Sequence, residues 1–263
     1  MQVTFHGEGL PSSREYDITG SSKGTWHIPE EVPVAFVFNK RNYAIMMATP
    51  NDLADFAIGF SLTENIIQTP QDILSLDIYQ SDKGVDFRFK LMSEAIEKID
   101  ILQRRRNLIG SASCGLCGLE NADVLFRKLA PVSDTPLDVS DNVIKKALSL
   151  LKSHQPLNQL TRTVHAAAWV NMEGHLKIVR EDVGRHNALD KLLGALALDN
   201  SDMSKGFVIM SSRCSYEIVE KAASRGVKAI VSVSAPTAFA LRKAEEANMA
   251  VYSQSESGVV RLL

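Results

Sequence analysis

A chain of 263 residues, 45% hydrophobic and 23% charged, can bury a core without staples and is expected to form one large or two modest domains. Its 29 basic and 31 acidic residues leave a formal charge of -2, which excludes the basic footprint of a nucleic-acid binder and a polyanionic tail. No apolar run approaches the roughly 18 residues of a membrane span, because FAIGFSLTENII is broken by Ser61, Thr63 and Glu64.

The first thirty residues are polar and rich in Gly and Ser, and predict an irregular arm or an edge strand. The start MQVTFHGEGLPSS lacks the basic, apolar and small-residue succession of a signal peptide, and three cysteines is a low, odd count. Together they imply a reducing cytoplasm and free thiols. Val32, Val34, Phe36 and Phe38 alternate, and a second β-rich run from Tyr43 to Met47 follows a turn at Asn39 to Asn42, which predicts a hairpin. Thr49-Pro50-Asn51-Asp52 predicts a helix start, with Thr49 as cap and Pro50 in the first turn. That helix carries Leu53, Phe56, Ala57 and Phe60 on one face and ends near Glu64 or Asn65. Ile73 to Tyr79 and Val85 to Phe89 flank Asp82-Lys83-Gly84 as a further hairpin. A helix is expected from Ser93 to Arg106, ending in Arg104-Arg105-Arg106, where cations either solvate a helix terminus or stabilise an anion or thiolate nearby.

The loop Cys114-Gly115-Leu116-Cys117-Gly118 follows. A C-x-x-C pair can bind a metal, cycle between dithiol and disulfide, or supply one activated thiolate backed by a second thiol, and spacing alone does not choose. No second C-x-x-C or H-x-x-x-H completes a tetrahedral zinc site. Two small hydrophobes in a turn is the plain alternative, but Gly110, Ser111, Ser113, Gly115 and Gly118 read as an exposed loop.

Helices are expected over 122–129 and 140–153, with Pro131 to Pro136 as the linker between an amino-terminal domain (1–130) and a carboxy-terminal domain (131–263). From 164 onward the order is strand, strand, helix, strand, helix, strand, helix, then two short strands, which implies crossovers and a mixed sheet covered on both faces. This ββαβαβα order is that of the cytidine-deaminase-like fold. A zinc deaminase needs H-x-E at one helix start and P-C-x-x-C at the next; Glu181 to His186 and Ser211 to Glu217 stand there instead, with Cys214 alone, so no metal site is expected.

Polar residues gather where those strands end and helices begin: Arg185 and His186, Ser211, Ser212 and Arg213, Ser234 and Thr237. Helix starts at the carboxyl ends of strands suit phosphate, although Asp182, Ser234 or Thr237 can equally be caps. Gly184 allows close backbone approach, Asp190 accompanies His186, and Lys191 is either a solvated residue or a phosphate contact. His165, in the strand HAAAWV, reads as a core histidine, and Cys214 as a structural thiol.

The segments SCGLCG, TVHAAAW, REDVGRHNALDKLLG, SSRCSYEIVEKAASRGV and VSAPTAFALRKAEE, in this order, resemble the formate dehydrogenase accessory sulfurtransferase family of the FdhD type. EVPVAFVFN and DLADFAIGFSLTENII match its amino-terminal half, so the resemblance runs from about Glu31 onward. It implies a small amino-terminal domain and a three-layer, deaminase-like α/β domain, in a cytoplasmic homodimer. It also implies that a cysteine desulfurase delivers sulfur as a persulfide to Cys114, with Cys117 as its partner. The sulfur then passes to the molybdenum bis(guanine dinucleotide) cofactor required by formate dehydrogenase. On this resemblance Arg185, His186, Ser212, Arg213, Ser234, Thr237 and the loop Gln254, Ser255, Glu256, Ser257, Gly258 and Val259 are expected to hold that cofactor. The family's loop near the carboxy terminus often pairs glycine with a cation; here Gly258 is kept but Glu256 stands without one, and Glu256 is expected to face a guanine edge or solvent. Three other classes stay open: a non-catalytic carrier that inserts the cofactor, a structural metal protein in which His165 or His186 joins Cys114 and Cys117, and a dithiol oxidoreductase, against which the lack of a thioredoxin-like βαβ unit counts.

Overall fold

The computed structural model describes residues 1–18, 24–92, 128–256 and 258–263. The helix expected over 93–106, the cysteine loop with Cys114 and Cys117, most of the helix expected over 122–129, and Ser257 lie outside the described residues.

The chain forms a mixed α/β fold around two large sheets. The first combines strands β1 (Gln2–His6), β4 (Val32–Phe38), β5 (Arg41–Ala48), β6 (Ile73–Ser81) and β7 (Gly84–Leu91) in the order β1-β6-β7-β4-β5. Both expected hairpins are present, β4 with β5 and β6 with β7. The first turns at Asn39 and Lys40, both at positive φ (47° and 67°), as a two-residue hairpin turn of this hand requires. The arm at the amino terminus is more ordered than its composition suggests. β1 is an edge strand parallel to β6, and β2 (Ser13–Ile18) and β3 (Gly24–Pro29) form a separate hairpin. The edge strand expected there is β1, while β2 and β3 pair with each other in a hairpin that stays largely exposed.

Helix α1 (Leu53–Thr63) covers the first sheet and ends where expected, with Glu64 at its end and Asn65 at positive φ. Its start differs from the expectation. Asp52, at φ 50°, is the N-cap, with no side-chain cap hydrogen bond. Thr49 is not a cap: its Oγ1 accepts from the Val183 amide of the other half of the chain at 3.2 Å. In the core Phe36 meets Phe56 and Phe87 edge to face, the arrangement that ring quadrupoles favour, and lies tilted against Phe60.

The second sheet runs β13-β12-β11-β10-β8-β9, from β8 (His165–Asn171), β9 (Leu176–Asp182), β10 (Gly206–Arg213), β11 (Ala229–Ser234), β12 (Ala250–Ser255) and β13 (Gly258–Arg261). β10, β11 and β12 are parallel and β8 is antiparallel to β10, so the sheet is mixed as expected. Alternate residues face opposite layers. Val208 and Met210 pack under α4 (Arg185–Leu198), α5 (Tyr216–Ser224) and α6 (Ala238–Glu246), while Phe207 and Ile209 pack under α2 (Asp141–Leu151). A short helix, α3 (Pro156–Thr161), was not legible in the sequence. The expected linker is tied down: the Val132 amide donates to Ala247 O at 2.8 Å and Asn248 Nδ2 to Ser133 O at 2.8 Å.

α1 and α4 pack directly on one another and join the two halves. At their crossing the backbones nearly touch. A Cβ on Gly59 would lie 1.7 Å from Asp190 O, and one on Gly194 would lie 1.9 Å from Asp55 O.

Candidate functional site

The antiparallel pairing of β8 with β9 and β10 brings the start of β8 to the same edge of the sheet as the ends of β9, β10, β11 and β12. His165 is paired with Asp182, and Ser211 Oγ accepts from the Ala166 amide at 2.7 Å. Arg213 is in register with Ser234, and the Thr237 amide donates to Cys214 O at 3.1 Å. His186, in the first turn of α4, meets the start of α5: its Nε2 lies 2.9 Å from Glu217 Oε2 and 3.5 Å from Ser215 Oγ. Four segments expected to carry site residues therefore converge on one edge.

Most of the charged residues in REDVGRHNALDK serve a different purpose, which is to connect the halves. Arg180 Nε is 2.7 Å from Asp55 Oδ2 and 3.6 Å from Asp52 Oδ1. Glu181 accepts from the Leu157 and Asn158 amides at 2.9 and 2.8 Å, serving the start of α3. Burial raises the Glu181 carboxyl above the ordinary carboxylate range, opposed by those two amides. Asp182, fully buried, accepts from the Thr49 amide (3.0 Å), the Gly184 amide (2.8 Å) and Asn187 Nδ2 (2.9 Å). Its cation is Lys191, at 2.8 Å and equally buried. Lys191 also donates to Thr49 O at 2.9 Å and Asn51 Oδ1 at 2.8 Å. The expectation that Lys191 is a solvated residue or a phosphate contact is thus corrected: all of its donors are directed to protein oxygens. Asp190 likewise does not accompany His186, but pairs with Lys221 (2.8 Å) and accepts from Thr63 Oγ1 (2.8 Å). At Gly184 a Cβ would lie 2.9 Å from Asn187 Nδ2, which itself donates to Met47 O and Asp182.

What remains for a ligand is narrower. Arg185 Nε is buried with no hydrogen-bond partner among the described residues. α4 and α5 begin at Gly184 and Ser215 without a side-chain cap, so two positive helix ends stand side by side at His186. Thr237, by contrast, caps α6 by accepting from the Ala240 amide at 3.1 Å, as capping chemistry alone suggests. Ser212 is buried and donates to Arg213 O at 3.1 Å, whereas Arg213 and Ser234 are exposed. His165 is not a core residue: it is half-buried at the mouth of this edge, where burial and then the nearby Arg185 charge hold it below the ordinary imidazole range. Gln254, Ser255 and Glu256 are exposed at the end of β12. Gly258, at φ 122°, and Val259 continue into β13 on the α2 side, where Val259 packs into the core under α2. Lys145 reaches this hairpin, its Cε 3.6 Å from the position a Gly258 Cβ would take. Glu217 has no assigned role in the sequence; its place two residues after Ser215 in SSRCSYE is the available signal.

Cys214 is the structural thiol expected. It is fully buried, and burial pushes its pKa to about 12. A thiol held neutral does not react. Native protein treated with iodoacetamide at pH 8 should therefore show an unmodified Cys214 peptide by mass spectrometry, and the denatured chain a modified one.

The fold and site define a mixed α/β protein in which Arg185, Arg213, His165 and His186 stand with two helix starts at the strand ends of the second sheet. Sequence comparison goes further: the FdhD/NarQ family pattern matches residues 29–258, and the chain belongs to that family. It is 46% identical over 222 residues to the sulfur carrier protein FdhD of Cupriavidus necator, covering 84% of this chain and 76% of the relative. It is 40% identical over 234 residues to the protein of that name from Bordetella petrii, covering 89% and 83%. Among solved structures, a protein of Desulfotalea psychrophila described as a putative formate dehydrogenase accessory protein superposes with a TM-score of 0.71 over 95% of this chain and 96% of its own. At 23% identity, it shows a shared fold.

Proposed function

We propose that this chain is a sulfur carrier that matures formate dehydrogenase. Cys114, as thiolate, attacks the terminal sulfur of a cysteine desulfurase persulfide; the donor's thiolate leaves and Cys114 becomes the persulfide, with Cys117 beside it in sequence. The sulfur is then handed to the molybdenum bis(guanine dinucleotide) cofactor, which the protein binds as substrate through residues 131–263. The action is cytoplasmic and the unit a homodimer. Family membership and the sulfur-carrier names of the relatives support the sulfur-carrying role. The observation that carries the choice of acceptor is the convergence of two uncapped helix starts with Arg185, whose buried Nε has no partner among the described residues. That arrangement suits the pyrophosphates of a dinucleotide. Arg213 and His186 stand at the same edge, and Lys145 at the Gly258 hairpin.

The test is transfer of radiolabelled sulfur. Incubated with a cysteine desulfurase and labelled cysteine, the wild-type protein and Cys117→Ala should be compared with Cys114→Ala on non-reducing gels. Label that survives denaturation, is released by reduction and is missing from Cys114→Ala is the expected result. A labelled desulfurase beside an unlabelled wild-type chain would sink the reading, and delivery of cofactor by Cys114→Ala at the wild-type level would favour a non-catalytic carrier.

A further inference from the structure

The ribbon of β2 and β3 belongs to neither large sheet, and its apolar side is turned outward. Residues directly opposite in an antiparallel pair point to one face, and successive residues alternate between faces. The register of Arg14 with Ile28, Tyr16 with Trp26 and Ile18 with Gly24 therefore puts two aromatic and two aliphatic side chains on the same face. That face is the one in solvent: Tyr16, Ile18, Trp26 and Ile28 are each 37% to 55% exposed. The half-buried residues of the ribbon, Ser13, His27 and Pro29, belong to the opposite face, and α3 packs against β3. A two-stranded ribbon left alone in water is marginal. A contiguous apolar face of this kind marks a contact surface.

We propose that this face is where a second copy of the chain docks, ribbon against ribbon about a two-fold axis. Two features select a copy over another partner. The one charged residue on the face, Arg14, is ion-paired with Glu30 of its own chain, so the face offers no free charge to an acidic or basic protein or to an anionic lipid headgroup. Its relief is also self-complementary. With the axis along the strands, β2 of one protomer lies over β3 of its partner, and each side chain meets the residue it is paired with in its own ribbon. Tyr16 then packs on the partner's Trp26, and Ile18 enters the hollow at the partner's Gly24. That hollow is open: among the described residues a Cβ on Gly24 would have one neighbour within 4 Å, Ile18 Cδ1 at 3.9 Å. Reciprocity of this kind is what an isologous contact requires. Two six-residue strands present a footprint of roughly 20 by 10 Å, well below the about 800 Å² per partner of a standard interface. The contact therefore sets a dimer that forms in the micromolar range. This rests on the homodimer in the reading above and adds where its contact lies.

The test is the mass of the full chain in solution, read by light scattering at roughly 100 μM, above the expected dissociation range. Wild type should scatter as twice the 28.9 kDa of the chain. Trp26→Ser removes the largest side chain of the face and should scatter as a single chain, while unfolding at the wild-type midpoint when both proteins are diluted to monomers. Gly24→Leu separates this contact from general stickiness. It adds apolar surface without a clash in its own ribbon, so stickiness predicts stronger association, whereas a hollow already filled when the partner's Ile18 arrives predicts a single chain. Ile45→Ser, at a more exposed apolar residue on the edge strand β5, is the control and should stay a dimer. A wild-type dimer unchanged by both ribbon variants would overturn the placing of the contact and leave the homodimer standing, and dissociation by Ile45→Ser alone would move the contact to β5. A wild-type single chain would overturn the homodimer as well, and sulfur labelling of that monomer at Cys114 then decides separately on the carrier role. A monomer that floats with phosphatidylcholine vesicles, and no longer does so as Trp26→Ser, would give the face to lipid and overturn the proposal.

Discussion

Replacing Gly59 with alanine should destabilise the protein by at least about 3 kcal/mol, or prevent folding. Two effects compete. Alanine is a better helix former than glycine by about 1 kcal/mol in a helix interior. Against that gain, the new methyl would lie 1.7 Å from the carbonyl oxygen of Asp190, a backbone atom within a packed helix. Relief requires α1 and α4 to move apart by more than an ångström, and a gap of that size forfeits a large part of each contact along the crossing. It also stretches the Thr63, Asp190 and Lys221 contacts, set at 2.8 to 2.9 Å. Gly194→Ala meets Asp55 O at 1.9 Å and should be equally severe. The two together should cost less than their sum, because one separation of the helices relieves both. Gly9→Ala is the control, since nothing lies within 4 Å of a Cβ there. Urea unfolding followed by circular dichroism reads all four variants; a wild-type midpoint for Gly59→Ala would mean the helices do not approach this closely.

Lys191→Met should cost about 3–5 kcal/mol, because it leaves the Asp182 carboxylate buried without its cation. Asp182 still accepts from Thr49, Gly184 and Asn187, so part of its charge stays solvated by amides and the chain should fold. Urea unfolding midpoints of both proteins at pH 7.5 check this. The same amides place Gly184 ahead of α4, so the loss should also weaken pyrophosphate binding at Arg185 and His186. An Asp182→Asn, Lys191→Met double variant, which removes both charges, should recover stability relative to Lys191→Met alone while conserving the amide contacts that Asn can accept.

The hairpins of β4 with β5 and β6 with β7, the end of α1 and the alternation of strands and helices after residue 164 were legible because each depends on neighbours in sequence. Alternation, turn residues and a 3.6-residue period are local signals. So is the C-x-x-C spacing of Cys114 and Cys117, which by itself left metal, redox and thiolate chemistry open, and so is the family pattern in REDVGRHNALDK. The tertiary structure decided which polar residues of that pattern hold the fold together and which are left for a ligand. Glu181, Asp182, Asp190 and Lys191 resemble site residues in a linear reading because burial of a charge is invisible until its partner is known. Thr49, Asn51 and Thr63, which meet Asp182, Lys191 and Asp190, stand about 130 residues earlier, and the Leu157 and Asn158 amides that meet Glu181 lie 24 and 23 residues earlier. A buried carboxylate or ammonium survives only where such partners meet it. Those contacts consume most of the pattern's charge and leave Arg185 and His186, with Glu217 from the next helix, at the open edge of the sheet.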